Sequence, residues 1–388
     1  MSRRGRARAT LLLAVALAGP PASRAETFFE VLGSRPILRP VAVAMRDTVA
    51  RSIPVAAASP GVTFTFDPTT GVFERDVTIL GQLFLERGRP LGRGKWNVSL
   101  GYQWIKLDTF NGQDLDALSD TGAPIVDPAG TGLFTVPHFS LALETNQVTV
   151  GATYGVTDDL DVNVTLPILD STFAVGGVLR RSGFPGVQVA HVRTSAAGPG
   201  DLLLRGRYGV AHGACGDVAA GLVLRVPTGE EDDFQGTGAW EVSPGLYGST
   251  AAFPVGNTVR LRGYANAAVD LDTADVDASE GRFGVGLDCA VGARVTGAIA
   301  FLAREPFAAI APPGFFDVHR VDPRTGASFE APILGFDGSR PSYYDLSLGG
   351  RVMLWRQTLI GFVNVILPLN DDGFRSNVIP TVGLEATF

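Results

Sequence analysis

Residues 201–228 read DLLLRGRYGVAHGACGDVAAGLVLRVPT, and the fold depends on which solvent meets each side of this stretch. Leu202, Leu204, Tyr208 and Val210 fall on one face, Leu203, Arg205 and Arg207 on the other. A turn follows at His212, Gly213, Ala214, Cys215 and Gly216. Beyond it, Val218, Ala220, Leu222, Leu224 and Val226 share a face, opposed by Asp217, Ala219, Gly221 and Arg225. Successive strand side chains point to opposite sides, so period two builds one apolar wall and one polar wall. In a soluble sandwich the apolar wall meets a second sheet. In a membrane barrel it meets acyl chains, and the charged wall encloses water.

The same alternation recurs along the chain. Trp96, Val98, Leu100, Tyr102 and Trp104 oppose Lys95, Asn97, Ser99, Gly101 and Gln103; Leu160, Val162, Val164 and Leu166 oppose Asp159, Asp161, Asn163 and Thr165. Trp96 starts its apolar face and Trp104 nearly ends it, where interfacial aromatic belts place such rings. Connections alternate in length. Short ones lie near Thr157, Gly213, Pro254, Gly292 and Arg356; long ones run through 108–136, 170–199, 228–239, 272–280, 306–342 and 370–376. Outer-membrane barrels put tight turns on the periplasmic side and longer loops outside, an asymmetry a sandwich has no reason to show. The final strand ends on Phe388, with Ala386, Leu384 and Val382 on its face, the form of a signal for the outer-membrane insertion machinery. The expectation is an all-β chain: a transmembrane antiparallel β-barrel over 61–388 of about fourteen strands, or about twelve if the hairpin at 61–75 stands apart.

Upstream of the barrel, residues 1–25 form an export signal: Arg3, Arg4, Arg6 and Arg8, then an apolar run at 11–18, then Ser23-Arg24-Ala25 before the cut. Residues 26–60, punctuated by Pro36, Pro40, Pro54 and Pro60, read as an N-terminal periplasmic arm or a plug inside the lumen, with a short helix over 41–51. The net charge of -7 argues against nucleic acid as a partner. Cys215 and Cys289 both fall at expected short turns on one side of the sheet, and the sequence leaves open a bridge or two separate thiols. No Cys and His spacing suits a metal, no phosphate-binding glycine loop is present, and no cofactor is expected.

Three segments carry a family likeness: Tyr154 to Asp161 (YGVTDDLD), Gly198 to Leu202 (GPGDL), and Val226-Pro227-Thr228-Gly229 followed by Gly236-Thr237-Gly238. They resemble the outer-membrane transporter family named for the meta-pathway of phenol degradation, over roughly residues 60 to 388. That family is in turn similar to the long-chain fatty-acid and hydrocarbon channels, barrels of about fourteen strands with an N-terminal hatch. The resemblance implies a barrel in contact with outer-membrane lipid and lipopolysaccharide, and segment 26–60 matches a hatch in position.

The polar wall holds the candidate functional residues. Arg205, Arg207, Arg225, Arg260, Arg262, Arg282 and Arg351 share the interior with Asp161 and Asp345. Fixed guanidinium groups there make a selectivity wall for carboxylates or phenolates, or a structural lattice of Arg–carboxylate pairs. Apolar loop residues Phe307, Ile310, Phe315, Phe316 and Phe184 either capture a hydrophobic cargo or fold inward to close the mouth. Acidic runs at 230–233 and 270–277 are solvated loops or hold Ca²⁺ bridging lipopolysaccharide. The expected function is a passive channel for small hydrophobic or aromatic molecules and not an enzyme. The alternatives are a structural or adhesive barrel and, on the strength of His138 near Ser140, a barrel lipid hydrolase.

Overall fold

The computed structural model describes residues 26–34, 36–58, 61, 63–67, 72–76, 79–126, 132–183, 188–355 and 358–388. The expected export segment and Phe184 lie outside these residues. Two helices come first, α1 (Phe28–Gly33) and α2 (Arg39–Ser52), then a hairpin, β1 (Thr63–Asp67) and β2 (Val72–Asp76). The wall runs through β3 (Trp96–Leu107), β4 (Leu133–Gly155), β5 (Leu160–Arg181), β6 (Gln188–Pro199), β7 (Leu202–Gly213), β8 (Gly216–Val226) and β9 (Glu241–Thr250). It continues through β10 (Val259–Asp272), β11 (Glu280–Val291), β12 (Val295–Pro306), β13 (Tyr343–Trp355), β14 (Leu359–Pro368) and β15 (Ile379–Thr387). Every neighbour is antiparallel, and β15 pairs back onto β3, from Thr381 opposite Gln103 to Thr387 opposite Asn97. The result is a closed barrel of 12 strands. Closure leaves no unpaired strand edge in lipid, the condition a sheet must meet to span a bilayer.

The outward face shows where lipid ends. On β5 the side chains from Leu160 to Ile168 that point outward are apolar, about the 9–11 residues a tilted strand needs to cross, and Asp170 then turns polar. On β4 the outward series Tyr154, Ala152, Val150 and Val148 gives way to Asn146 and Glu144. Asn146 lies directly opposite Asp170, so the two strands change solvent at one level. Tyr102 on β3 donates its hydroxyl to Asn146 Oδ1 at 2.7 Å, and at the other rim Trp96 packs on Tyr154 with ring centroids 4.6 Å apart. Aromatic rings with one wet end and one apolar body favour both of these levels.

Two expectations are corrected here. The barrel has 12 strands rather than about fourteen, because β1 and β2 pair only with each other and the first wall strand begins at Trp96, not near Gly61. The stretch 170–199 is not a loop. β5 continues to Arg181, and β6 pairs with its upper half while β7 pairs with its lower half, so β6 and β7 are successive lengths of one ribbon. At about 3.4 Å per residue this ribbon overshoots the bilayer and stands clear of the rim.

The described residues of 26–58 and 79–95 pack inside the barrel. Thr27 caps α1 reciprocally with Glu30, by a 3.2 Å bond to the Glu30 amide and a 3.0 Å bond from its own amide to Glu30 Oε2. Helix α2, expected over 41–51, starts with Pro40 in its first turn and ends at Ile53, which is extended ahead of Pro54. Phe28, Leu32, Val41, Met45 and Val49 are buried in one cluster with loop residues Phe110, Phe316, Phe336 and Phe374, which closes the long-loop end. On either side of the β1–β2 hairpin the segment is bonded to the barrel wall. Gly61 N donates to Glu385 Oε1 at 2.7 Å before the hairpin, and Leu80 N donates to Thr296 Oγ1 at 3.1 Å after it. These contacts lie near the short-turn end. The packing needs glycine at Gly88, where a Cβ would stand 2.0 Å from the Asp217 carbonyl oxygen.

Candidate functional site

Between the end of α2 and the returning coil at 79–95 lies a chamber of about 240 Å³. Its roof is Arg51 and Ser52; its floor is Val55, Ala57, Phe84, Leu85 and Glu86, tied together where Ala57 N donates to Leu83 O at 2.8 Å. The walls differ in chemistry. Ile105, Ile366 and Ile379, on the contiguous strands β3, β14 and β15, form an apolar patch against which Ile53 and Phe84 pack. Arg205, Arg225, Arg282 and Arg304, on β7, β8, β11 and β12, face it from the other side of the ring. Leu203, Val223 and Leu302 also line the arginine side, and Asp345 and Arg375 lie beside the isoleucines, so the division concerns the dominant chemistry of each wall.

Most of the arginines are held by carboxylates. Arg207 meets Asp161 at 2.6 Å and Glu86 of the lumenal coil at 3.0 Å. Arg225 meets Glu241 at 2.8 Å, Arg282 meets Glu280 at 2.8 Å and also Asp270, and Arg351 meets Glu385 at 3.0 Å. Asp345 is held by Arg375 at 3.1 Å. For these groups the lattice reading describes the geometry. Arg260 stands apart, exposed near the short-turn end, while Arg262 is half-buried on the same strand.

Arg205 is different. Its guanidinium donates to Asn163 Oδ1 at 3.1 Å, Thr165 Oγ1 at 2.8 Å and the Ala56 carbonyl at 3.4 Å, all neutral acceptors. Among the described residues no carboxylate reaches it at ion-pair distance. Four further lining groups were not singled out in the sequence: Arg51, Glu86, Arg304 and Arg375. Arg51 joins Glu241 at 2.8 Å and also Asp272, and Arg304 stacks over the Tyr343 ring at 4.3 Å. Arg304 carried a signal, as the last inward position of a clean alternation. Arg51 and Arg375 carried none, lying on a helix and in a loop.

The loop residues close the mouth. Phe316 is buried, Ile310 and Phe315 pack on the same cluster, and Phe307 remains exposed. The acidic run at 230–233 receives the N-terminal helices. Asp233 Oδ1 accepts from Phe28 N at 3.1 Å, and Arg46 meets Glu231 at 3.0 Å. Burial pushes the Asp233 carboxyl above its ordinary range, against the opposing pull of the Phe28 amide, and burial likewise raises Glu231 against Arg46. Cys215 and Cys289 are unpaired thiols. His138 and Ser140 share the outward face of β4 above the lipid level, and no hydrogen bond joins them. Phe388 is exposed on the outer surface, and its backbone exchanges hydrogen bonds with Trp96 at 2.8 and 3.1 Å.

No family model and no curated protein matches the chain. Among solved structures it is similar to an outer membrane channel from Pseudomonas putida F1, at 14% identity over 77% of this chain and 97% of that one, with a TM-score of 0.41. A FadL homologue from Pseudomonas aeruginosa is 11% identical, over 76% of this chain and 90% of its own, with a TM-score of 0.32. The CymD monoaromatic hydrocarbon channel is 8% identical, over 76% and 89%, with a TM-score of 0.31.

Proposed function

We propose that the protein is a passive outer-membrane channel for small hydrophobic or aromatic molecules. The observation that carries this reading is the chamber, which offers an apolar wall and ordered polar groups inside a closed membrane barrel. In this reading the gradient of the cargo drives transport. Passage requires the lumenal segment to shift, because its coil and helices occupy the axis of the barrel. In this reading residues 1–25 direct export, Phe388 is read by the insertion machinery, and the apolar belt sits in the outer membrane with lipopolysaccharide around its outer rim.

The filled lumen also favours a second reading, a structural barrel that transports nothing. Influx of nicotinamide, a neutral one-ring aromatic, into proteoliposomes separates the two. Influx faster than in protein-free vesicles supports the channel. Influx equal to that of bare vesicles, with the barrel folded, supports the structural reading.

A further inference from the structure

We infer that the chamber is a selective binding site for a one-ring aromatic carboxylate, and that Arg205 is its specificity-determining residue. The inference rests on the channel reading and specifies its cargo.

Three observations converge. The first is size. At about 240 Å³ the chamber lies just below the roughly 300–1,000 Å³ of pockets for drug-sized ligands, so its occupant is small. The second is the distribution of chemistry. The Ile105, Ile366 and Ile379 wall with Phe84 suits the faces and edge of a ring, while the guanidinium side lies across the lumen. A ligand using both walls has an apolar body and a charged head.

The third is the state of Arg205. Its chamber neighbours Arg225, Arg282 and Arg375 each have a carboxylate within hydrogen-bond distance, so an incoming anion must displace a partner to reach them. Arg205 has only neutral acceptors, which position the guanidinium without neutralising it. Asn163 and Thr165 come from β5 and Ala56 from the lumenal coil, so barrel wall and plug together aim the group. A planar guanidinium held in this way presents its fork to a carboxylate, and the resulting charge-assisted bonds are the strong ones. One contact ties the site to the plug: a ligand that draws Arg205 away from the Ala56 carbonyl removes a bond holding the floor in place.

The test is isothermal titration of the mature protein in lipid nanodiscs with benzoate and with benzamide, a neutral molecule of nearly the same shape. Benzoate is expected to bind at least about tenfold more tightly, the scale of a charge-assisted pair made in a water-poor site. Arg205→Gln is expected to remove that ratio and Arg205→Lys to keep part of it. Equal affinities in the native protein overturn the inference, and this outcome does not depend on any variant folding. A ratio unchanged in Arg205→Gln also overturns it. Either result leaves the channel reading standing if nicotinamide influx persists. Benzoate selectivity without nicotinamide influx supports the site and removes the channel.

Discussion

Arg351 and Glu385 form an ion pair at 3.0 Å across β14, and both also hold the lumenal segment. Arg351 donates to the Leu80 carbonyl at 3.0 Å and the Gln82 carbonyl at 2.8 Å, and Glu385 accepts from the Gly61 amide at 2.7 Å. Both side chains are buried, so each depends on the other to offset its lost hydration. The pair is therefore one of the points where the plug is fastened to the wall.

Glu385→Ala is expected to cost about 3–5 kcal/mol, because it leaves the Arg351 charge buried without its partner. The loss falls on the plug, since the backbone ladder of β15 does not involve this side chain. Single-channel recording should show frequent openings in the variant and few in the native protein. A quiet variant with normal barrel folding would mean that the plug is held elsewhere.

Gly88 offers a test that changes no charge. A methyl at this position meets the Asp217 carbonyl at 2.0 Å, and that carbonyl is fixed in the strand. Gly88→Ala is expected to destabilise the seated plug by about 1–3 kcal/mol, the scale of forced overpacking. Limited proteolysis between residues 53 and 95 should be faster in the variant, while the barrel keeps its resistance to unfolding in detergent.

The barrel was legible because the outward positions of the wall strands are apolar across the lipid belt, and the solvent on that side enforces it, whereas the inner face mixes polar side chains with apolar ones such as Ile105 and Leu203. Trp96 and the final Phe388 were legible for the same reason. Residues 79–86 form a lumenal coil, whose short apolar runs imitate the period without having to face lipid. Arg205, Arg225 and Arg282 line the chamber while Arg260 is exposed near the short-turn end, and the states of these arginines were not readable. Arg205 and Arg207 are two residues apart on one strand, and only the second meets carboxylates, because its partners Asp161 and Glu86 come from other parts of the chain. Such pairings depend on the path of the plug, which no local pattern records.

Docking of α1 on the acidic run should depend on pH with a definite sign. Burial holds the Asp233 carboxyl above its ordinary range, so the folded mouth binds a proton more tightly than the open one. The contribution of this group to docking therefore grows as pH falls through the raised pKa and fades as pH rises above it. Glu231, raised by the same cause, acts in the same direction. A spin label at the exposed Ser34, with both native cysteines replaced, should become less mobile in mild acid than at neutral pH. Greater mobility in acid would contradict the sign.

The level of the lipid boundary can be tested on a single strand. Val164 and Asp170 both point outward on β5, but Val164 is 47% exposed within the apolar belt and Asp170 lies past its edge. An arginine near the midplane of a barrel costs about 2–4 kcal/mol, falling to about 0–1 near the interface. Val164→Arg is therefore expected to lower folding stability in phospholipid vesicles by an amount within the first range, and Asp170→Arg by an amount within the second. The inequality arises because the guanidinium at 164 must leave water, whereas at 170 it stays hydrated beside Asn146, its opposite residue on β4. Equal costs at the two positions would place the boundary above Asp170 and extend the spanning region along the overshooting ribbon.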